Sequence, residues 1–209
     1  MTIHIAVLVS GCGSNLESIL KAIKSGFIRD ALVKVVISNK PNARALKIAE
    51  EYGIMHKVIE HTKNFNGKEI EYDRKIIKIL EDNEVNPNEG LVLLSGYDRI
   101  LGLHICRTFE GRIMNIHPAL LPSFKGLDGQ SQALEYGVKV SGATVHFVVA
   151  ELDSGPIIIQ ESVPVFDNDT VESLSNRILE EEHLIYPKAV KLFVEGKLRL
   201  EGRRVKVHN

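Results

Sequence analysis

Asn115 and His117 stand two residues apart in the run Gly111 to Pro122, which reads GRIMNIHPALLP. If 113–116 is extended, side chains alternate with period two, and the amide and the imidazole emerge on one face. Such a pair can hold an oxyanion while the imidazole also passes a proton. Each residue alone also fits a plainer role, Asn115 capping the following turn and His117 hydrogen-bonded in a core. Asp153 supplies a third group. It stands in the acidic turn Glu151 to Gly155, before Pro156, a setting that suits a carboxylate projecting into a cleft. Beside His117 it would favour the charged imidazolium. In isolation it is an ordinary turn aspartate.

A second candidate lies near the start, where Ser10, Gly11, Cys12, Gly13, Ser14 and Asn15 separate an apolar run from a helical stretch. Backbone N–H groups at such a helix start, together with the helix dipole, favour an anion, phosphate above all. Gly11 and Gly13 permit close backbone approach, and Ser14 and Asn15 add side-chain donors. The same glycines equally make a tight turn with no ligand, and the loop alone does not separate the two. A dinucleotide fingerprint fails, because Leu16 stands where the third glycine belongs and the second strand ends in Ser38 and Asn39 with no acidic residue. A P-loop fails because no Lys follows the glycines. Cys12 reads as a small filler, since no basic partner lies nearby in sequence. Val171, Leu174, Ile178 and Ile185 mark an apolar helical stripe, and Glu182 falls on it, where a carboxylate must be paired or used. Glu180 and Glu181 read as solvated charge. His146, between Val145 and Phe147, reads as buried, either supporting a site or filling the core.

The elements that must position these groups follow from pattern. Ile3–Val9, Ala31–Ser38 and Leu91–Ser95 are apolar runs of buried-strand type, and Met55–Glu60 reads as a further strand. Leu16–Ser25, a segment ending near Tyr52, and Lys68–Asn83 predict helices, the last from Tyr72, Ile76, Ile79 and Leu80 at i, i+4, i+7, i+8. This alternation predicts an α/β, Rossmann-like fold: a mainly parallel twisted sheet with helices on both faces, in a single domain. Ligands bind such sheets at the carboxyl ends of the strands. Beyond, a strand Ile113–Ile116 runs into the loop Pro118–Gly126, and Ser131–Tyr136 is a short helix. Thr144–Val149 and Ile157–Val163 are strands. Asp169 with Glu172 predicts a capping box opening a helix to about Leu192. Lys197–Val207 predicts an edge hairpin whose Arg203, Arg204 and Lys206 read as solvated charge.

The 209 residues are 44% hydrophobic and 25% charged, with a net charge of -1, as expected of one ordinary globular core. That balance offers no basic face for nucleic acid. No apolar run approaches the roughly 18 residues of a membrane span, and the first residues carry no secretory pattern. Cys12 and Cys106 are too few for a disulfide framework and too far apart for a metal motif. The expectation is a cytoplasmic protein acting on small molecules, without metal, as a monomer or homodimer.

Asn115 to Pro122 (NIHPALLP), Gln132-Ala133-Leu134 and Leu152 to Pro156 (LDSGP), collinear with Ser10 to Leu16 (SGCGSNL), together resemble the signature of folate-dependent formyltransferases, with similarity running from Val7 to Pro187. The glycine loop makes the likeness closest to the branch that formylates phosphoribosylglycinamide in purine synthesis. The resemblance implies 10-formyltetrahydrofolate as cosubstrate and the amine of N1-(5-phosphoribosyl)glycinamide as acceptor. It implies Asn115, His117 and Asp153 as the catalytic trio. Gly13, Ser14 and Asn15 would hold the phosphate and Glu182 the ribose hydroxyls, with Gly96 and Pro118 lining the same half. Asp98, Arg99, Ile100 and Leu101 would form the backbone edge that reads the pterin, with Asn115 beside it and Lys68 meeting the folate carboxylates. Residues 1–100 would then make the phosphate-substrate lobe and 101–209 the folate and catalytic lobe. Two departures stand out: Leu127-Asp128-Gly129-Gln130 replaces a loop that often carries a histidine pair, and Asp98 occupies a place expected to be apolar. Other readings are a formyltetrahydrofolate hydrolase, expected to carry an N-terminal regulatory domain, and a formyltransferase acting on another small amine. A methionyl-tRNA formyltransferase would need a further C-terminal domain. Outside this chemistry stand a non-catalytic phosphate-binding module and a nucleotide-dependent dehydrogenase.

Overall fold

Side-chain alternation on apolar strands builds two cores at once. In β1 (Ile3–Val9), Ile5, Val7 and Val9 join one buried cluster while Ala6 and Leu8 join the other. A strand apolar on both faces must be covered on both, which is why the run lacks polar alternation. The computed structural model describes residues 2–60 and 69–208. β2 (Ala31–Ser38), β3 (Met55–Val58), β4 (Leu91–Ser95) and β5 (Ile113–His117) run parallel with β1 in the order β3-β2-β1-β4-β5. The order reverses between β1 and β4, the switch point at which such sheets open a crevice. β6 (Val140–Phe147) and β7 (Ile157–Pro164) extend the sheet antiparallel, and the hairpin β8 (Leu198–Glu201) and β9 (Arg204–Val207) closes its edge.

Helices α1 (Ser14–Lys24), α2 (Arg44–Glu51), α5 (Gly129–Tyr136) and α6 (Val171–Val194) supply residues to the first cluster. Helices α3 (Glu69–Asp82) and α4 (Leu103–Thr108) supply the second, through Tyr72, Ile76, Leu80, Ile105 and Cys106 among others. Each large side chain so buried contributes roughly 1.5–3 kcal/mol. The expected single α/β domain is what forms.

Several boundaries differ from the sequence expectations. β3 ends at Val58 rather than Glu60, and α3 is described from Glu69, so Lys68 lies outside the described residues. β6 runs from Val140 to Phe147, with Val148 N still donating to Ile113 O (2.8 Å), and residues 148–150 line the cleft. The capping box of α6 sits one residue later than predicted: Thr170 Oγ1 accepts from Ser173 N, and Ser173 Oγ accepts from Thr170 N. Asp169 is drawn instead to the guanidinium of Arg177, which reaches both its oxygens at 2.8 Å. Val171 is exposed, so the apolar stripe of α6 begins at Leu174. Helix α4 has no local signal. Its first turn is capped from α3, where Asp73 accepts from Gly102 N (3.0 Å) and Ile105 N (3.1 Å).

Candidate active site

The carboxyl ends of β4 and β5 open on a cleft of about 410 Å³, walled by 96–101, 115–118, 126–128, His146, 148–150, Leu152 and Asp153. Asn115 and His117 leave β5 on one face, as the strand alternation predicted, and both line the cleft. The antiparallel register of β5 and β6 sets His146 opposite Asn115 and Thr144 opposite His117. Thr144 Oγ1 donates to Ala119 O (2.7 Å) and accepts from Leu121 N (3.1 Å), which fixes the loop leaving His117.

Asp153 reaches the trio from a tight turn. Gly155 lies so close to β6 that a Cβ there would meet Phe147 O at 1.7 Å, so only glycine lets the turn approach. Asp153 itself adopts a left-handed φ of 46°, a conformation that persists only when its surroundings hold it. Gly126 N donates to Asp153 Oδ2 (2.8 Å), and Lys125 Nζ donates to Ser154 Oγ, stitching the loop after His117 to this turn. Gln132, part of the sequence motif, donates to Lys125 O (3.1 Å) and Leu127 O (2.8 Å), ordering the same loop from α5.

Hydrogen-bond chemistry then assigns protons. His117 is buried, and its Nε2 lies 2.8 Å from Phe124 O, a carbonyl that can only accept. Its Nδ1 lies 3.5 Å from Asp153 Oδ2. Because Nε2 is committed to Phe124 O, the ring meets any reactant through Nδ1, the nitrogen that also faces Asp153. His146 is the opposite case. Its Nδ1 meets Phe147 O (2.9 Å) and so carries the proton, leaving Nε2 to accept from Asn115 Nδ2 (3.3 Å). Burial holds the pKa of His146 below the ordinary imidazole value, against the raising effects of the Phe147 carbonyl and Asp153, which favours this neutral form. Its bare Nε2 is 3.6 Å from Asp153 Oδ1, a proximity of two acceptors. A neutral His146 thus holds the Asn115 amide with nitrogen inward, since a flipped amide would set oxygen against a lone pair.

The glycine loop sits apart from this cleft. Gly13 is the N-cap of α1 at φ 77°, and a Cβ there would meet Ala45 Cβ at 2.7 Å. Ser14 opens the helix, so backbone N–H groups of its first turn are free of intrahelical partners. Asn15 Nδ2 donates one N–H to Glu182 Oε2 (2.7 Å), and its Oδ1 is buried with no hydrogen-bond partner among the described residues. Glu182 is 7% exposed. Burial pushes its pKa up to about 7, with the Asn15 hydrogen bond opposing. Cys12 is exposed, so it fills nothing.

Among the predicted site residues, Asn115, His117, Asp153, Gly96, Pro118, Asp98, Arg99, Ile100 and Leu101 share the cleft wall. Gly13, Ser14, Asn15 and Glu182 form a second group at the α1–α6 contact, outside that wall. Sequence reasoning missed the roles of Phe124 O, Gly126 N and His146. For His146 the signal was its place opposite Asn115, which only the strand register reveals. Among the described residues, no group of His, Cys, Asp and Glu could hold a metal ion, and no helix is long and apolar enough to cross a membrane.

Comparison with known proteins matches residues 3–190 to the formyl transferase family. The chain is 41% identical over 198 residues to phosphoribosylglycinamide formyltransferase of Escherichia coli (strain K12), covering 94% of this chain and 90% of that protein. It is 42% identical over 198 residues to the trifunctional purine biosynthetic protein adenosine-3 of Gallus gallus, covering 95% of this chain but 19% of that much longer protein. The fold resembles the crystal structure of glycinamide ribonucleotide transformylase 1 from Symbiobacterium toebii, with a TM-score of 0.91 and 44% identity over 100% of this chain and 95% of that one. Matched by the family from its first strand into its last helix, with Asn115, His117 and Asp153 brought together in one cleft, the chain belongs to the formyl transferase family.

Proposed function

We propose that this chain transfers the formyl group of 10-formyltetrahydrofolate to the amine of N1-(5-phosphoribosyl)glycinamide, in the cytoplasm, as a step of purine biosynthesis. The observation that carries the reading is the meeting of Asn115, His117 and Asp153 in the wall of one cleft. A phosphate-binding module without catalysis gives no reason for that meeting.

In this scheme the backbone edge Asp98–Leu101 reads the pterin, with Gly96 and Pro118 at the junction of the two ligands. N–H groups of Gly13, Ser14 and Asn15 hold the phosphate, and Glu182 the ribose hydroxyls. Lys68 keeps its sequence-based assignment to the folate carboxylates. Residues 1–100 chiefly supply the phosphate-substrate half and 101–209 the folate and catalytic half, with Glu182 reaching across.

The substrate amine attacks the formyl carbon, forming a C–N bond and turning the formyl oxygen into an oxyanion. The free N–H of the Asn115 amide and the Nδ1–H of His117 meet that oxygen, as preorganised donors in a site shielded from water. Asp153, 3.5 Å from His117 Nδ1, sets the direction in which that ring nitrogen faces. The bond from carbon to folate N10 then breaks, the folate nitrogen takes a proton, and the attacking amine loses one. No step calls for a metal.

A coupled assay for consumption of 10-formyltetrahydrofolate, run with and without glycinamide ribonucleotide, tests the reading. Consumption only with the nucleotide is expected. Equal consumption without it would replace the transferase with a hydrolase, and activity with another amine alone would replace the acceptor.

A further inference from the structure

Asp98 sits at the hub of a hydrogen-bond network that the transfer scheme does not use, and the network spans the two groups of site residues. Ser10, just past β1, donates from its backbone N to Gly96 O (3.2 Å). Its Oγ accepts from Asp98 N (2.9 Å) and donates to Asn39 Oδ1 (2.6 Å), with Asp98 Oδ1 also in reach at 3.0 Å. Asn39, just past β2, donates from Nδ2 to Asp98 Oδ1 (2.7 Å). Lys40 Nζ completes the set against Asp98 Oδ2. Ser10 and Asn39 are buried, while the Asp98 side chain keeps 30% of its exposure, so the carboxylate faces the ends of β1 and β2.

Burial alone would raise the pKa of Asp98, but hydrogen bonds from Lys40, Asn39 and Ser10 outweigh it and hold the carboxyl below its ordinary value. The group is therefore an ionised acceptor for several donors at once, the stronger kind of hydrogen bond. Ser10 leads directly into the glycine loop. Asp98 opens the backbone stretch 98–101 on the cleft wall. A displacement of either segment must strain the bonds held by the other.

We infer that Asp98 is a positioning residue that fastens the cleft's backbone edge to the glycine loop, so that a ligand ordering either segment strengthens binding at the other. The ordering entropy of two joined segments falls on whichever ligand arrives first, and the coupling is reciprocal. Which ligands these are rests on the proposed function; the fastening itself does not.

The test uses the full chain carrying Asp98→Ala, Asp98→Asn, Ser10→Ala or Lys40→Met. Without ligand, amide hydrogen exchange at 97–101 should quicken about tenfold in Asp98→Ala and Ser10→Ala, the worth of one net hydrogen bond, while the amides of β4 keep wild-type protection. Asp98→Asn keeps an acceptor at Oδ1 and should recover most of that loss. Lys40→Met removes a half-exposed ion pair and should change little. With ligands, glycinamide ribonucleotide should tighten tetrahydrofolate binding in the wild type and fail to do so in Asp98→Ala. In turnover, both KM values should rise in Asp98→Ala with kcat changed much less, a pattern that a loss of stability alone does not produce. Unchanged exchange at 97–101, a KM rise confined to one substrate, or Lys40→Met reproducing the whole effect would overturn the inference. A wild-type protein that binds neither ligand would refute the proposed function, and the exchange result would still decide the fastening.

Discussion

Replacing Glu182 by Gln should raise the melting temperature at pH 8 and leave it nearly unchanged below pH 5. Glu182 is 7% exposed, on the buried stripe of α6, and its pKa is pushed up from 4.5 to about 7 by burial. The folded chain therefore holds this proton more tightly than the unfolded chain does. As pH rises from about 4.5 to about 7, the unfolded state ionises first and is stabilised relative to the folded one, so stability falls through that window. At 1.36 kcal/mol per pKa unit, the ionised carboxylate costs the fold roughly 3 kcal/mol above pH 7. Gln carries no such cost. Its Oε1 can accept from Asn15 Nδ2, and its Nε2 can donate to Asn15 Oδ1, which is buried without a partner.

For a domain of this size the gain corresponds to roughly 6–12 °C at pH 8, shrinking to under about 1 kcal/mol near pH 5. Calorimetric melts of both proteins across that pH range measure it. The same variant should raise the KM for the nucleotide and leave the folate KM nearly alone, because a neutral amide is a poorer acceptor for ribose hydroxyls. A Tm difference that is flat with pH, or a loss of stability at pH 8 with unchanged kinetics, would refute the reasoning. The first would mean that Glu182 is not the titrating group. The second would mean that its charge is matched by a structural partner.

Asn115→Ala should lower kcat by about 10²–10³, the usual loss of one oxyanion donor, with the far-UV circular dichroism unchanged. His146→Phe keeps an aromatic ring, though a larger one, and removes the acceptor that orients Asn115, so kcat should fall by about tenfold, measured in the same assay. Gly13→Ala drives a Cβ against Ala45 at a left-handed φ, so the nucleotide KM should rise steeply while tetrahydrofolate binding, followed by titration calorimetry, persists. Thr170→Ala removes the side-chain acceptor at the start of α6 and should cost about 1 kcal/mol in urea unfolding.

What was legible in the sequence was what neighbours in the chain decide. Alternation along Ile113–His117 set Asn115 and His117 on one face, and the cleft received both. Apolar runs without polar alternation marked β1, β2 and β4 as buried parallel strands, whereas β3 is exposed, and the helical stripe of α6 singled out Glu182. Features decided by distant partners were not legible. The start of α4 depends on Asp73 of another helix, and the cap of α6 moved because Arg177 claimed Asp169. The neutral state of His146 follows from an antiparallel register that the sequence does not print.

Asn15 and Glu182 carry this point into function. Each was singled out separately, one as a side-chain donor to phosphate and the other as an acceptor for ribose hydroxyls. Packing of α1 on α6 makes them partners of each other at 2.7 Å. With one N–H of the Asn15 amide held by the carboxylate, an anion can meet its second N–H together with the backbone N–H groups of the first turn and the Ser14 hydroxyl. The pair then acts as a unit: the Asn15 hydrogen bond favours ionised Glu182, and burial opposes it. A substrate hydroxyl donating to that carboxylate would add to the first effect and stabilise the charge that the empty site disfavours. Nucleotide affinity should therefore strengthen as pH rises through about 7, in step with the ionisation of Glu182, and Glu182→Gln should abolish that dependence. Phosphate ionisation near pH 6 would give a pH trend in both proteins, so only the part lost in the variant counts. Identical pH profiles of nucleotide affinity in the two proteins would remove Glu182 from the ribose site.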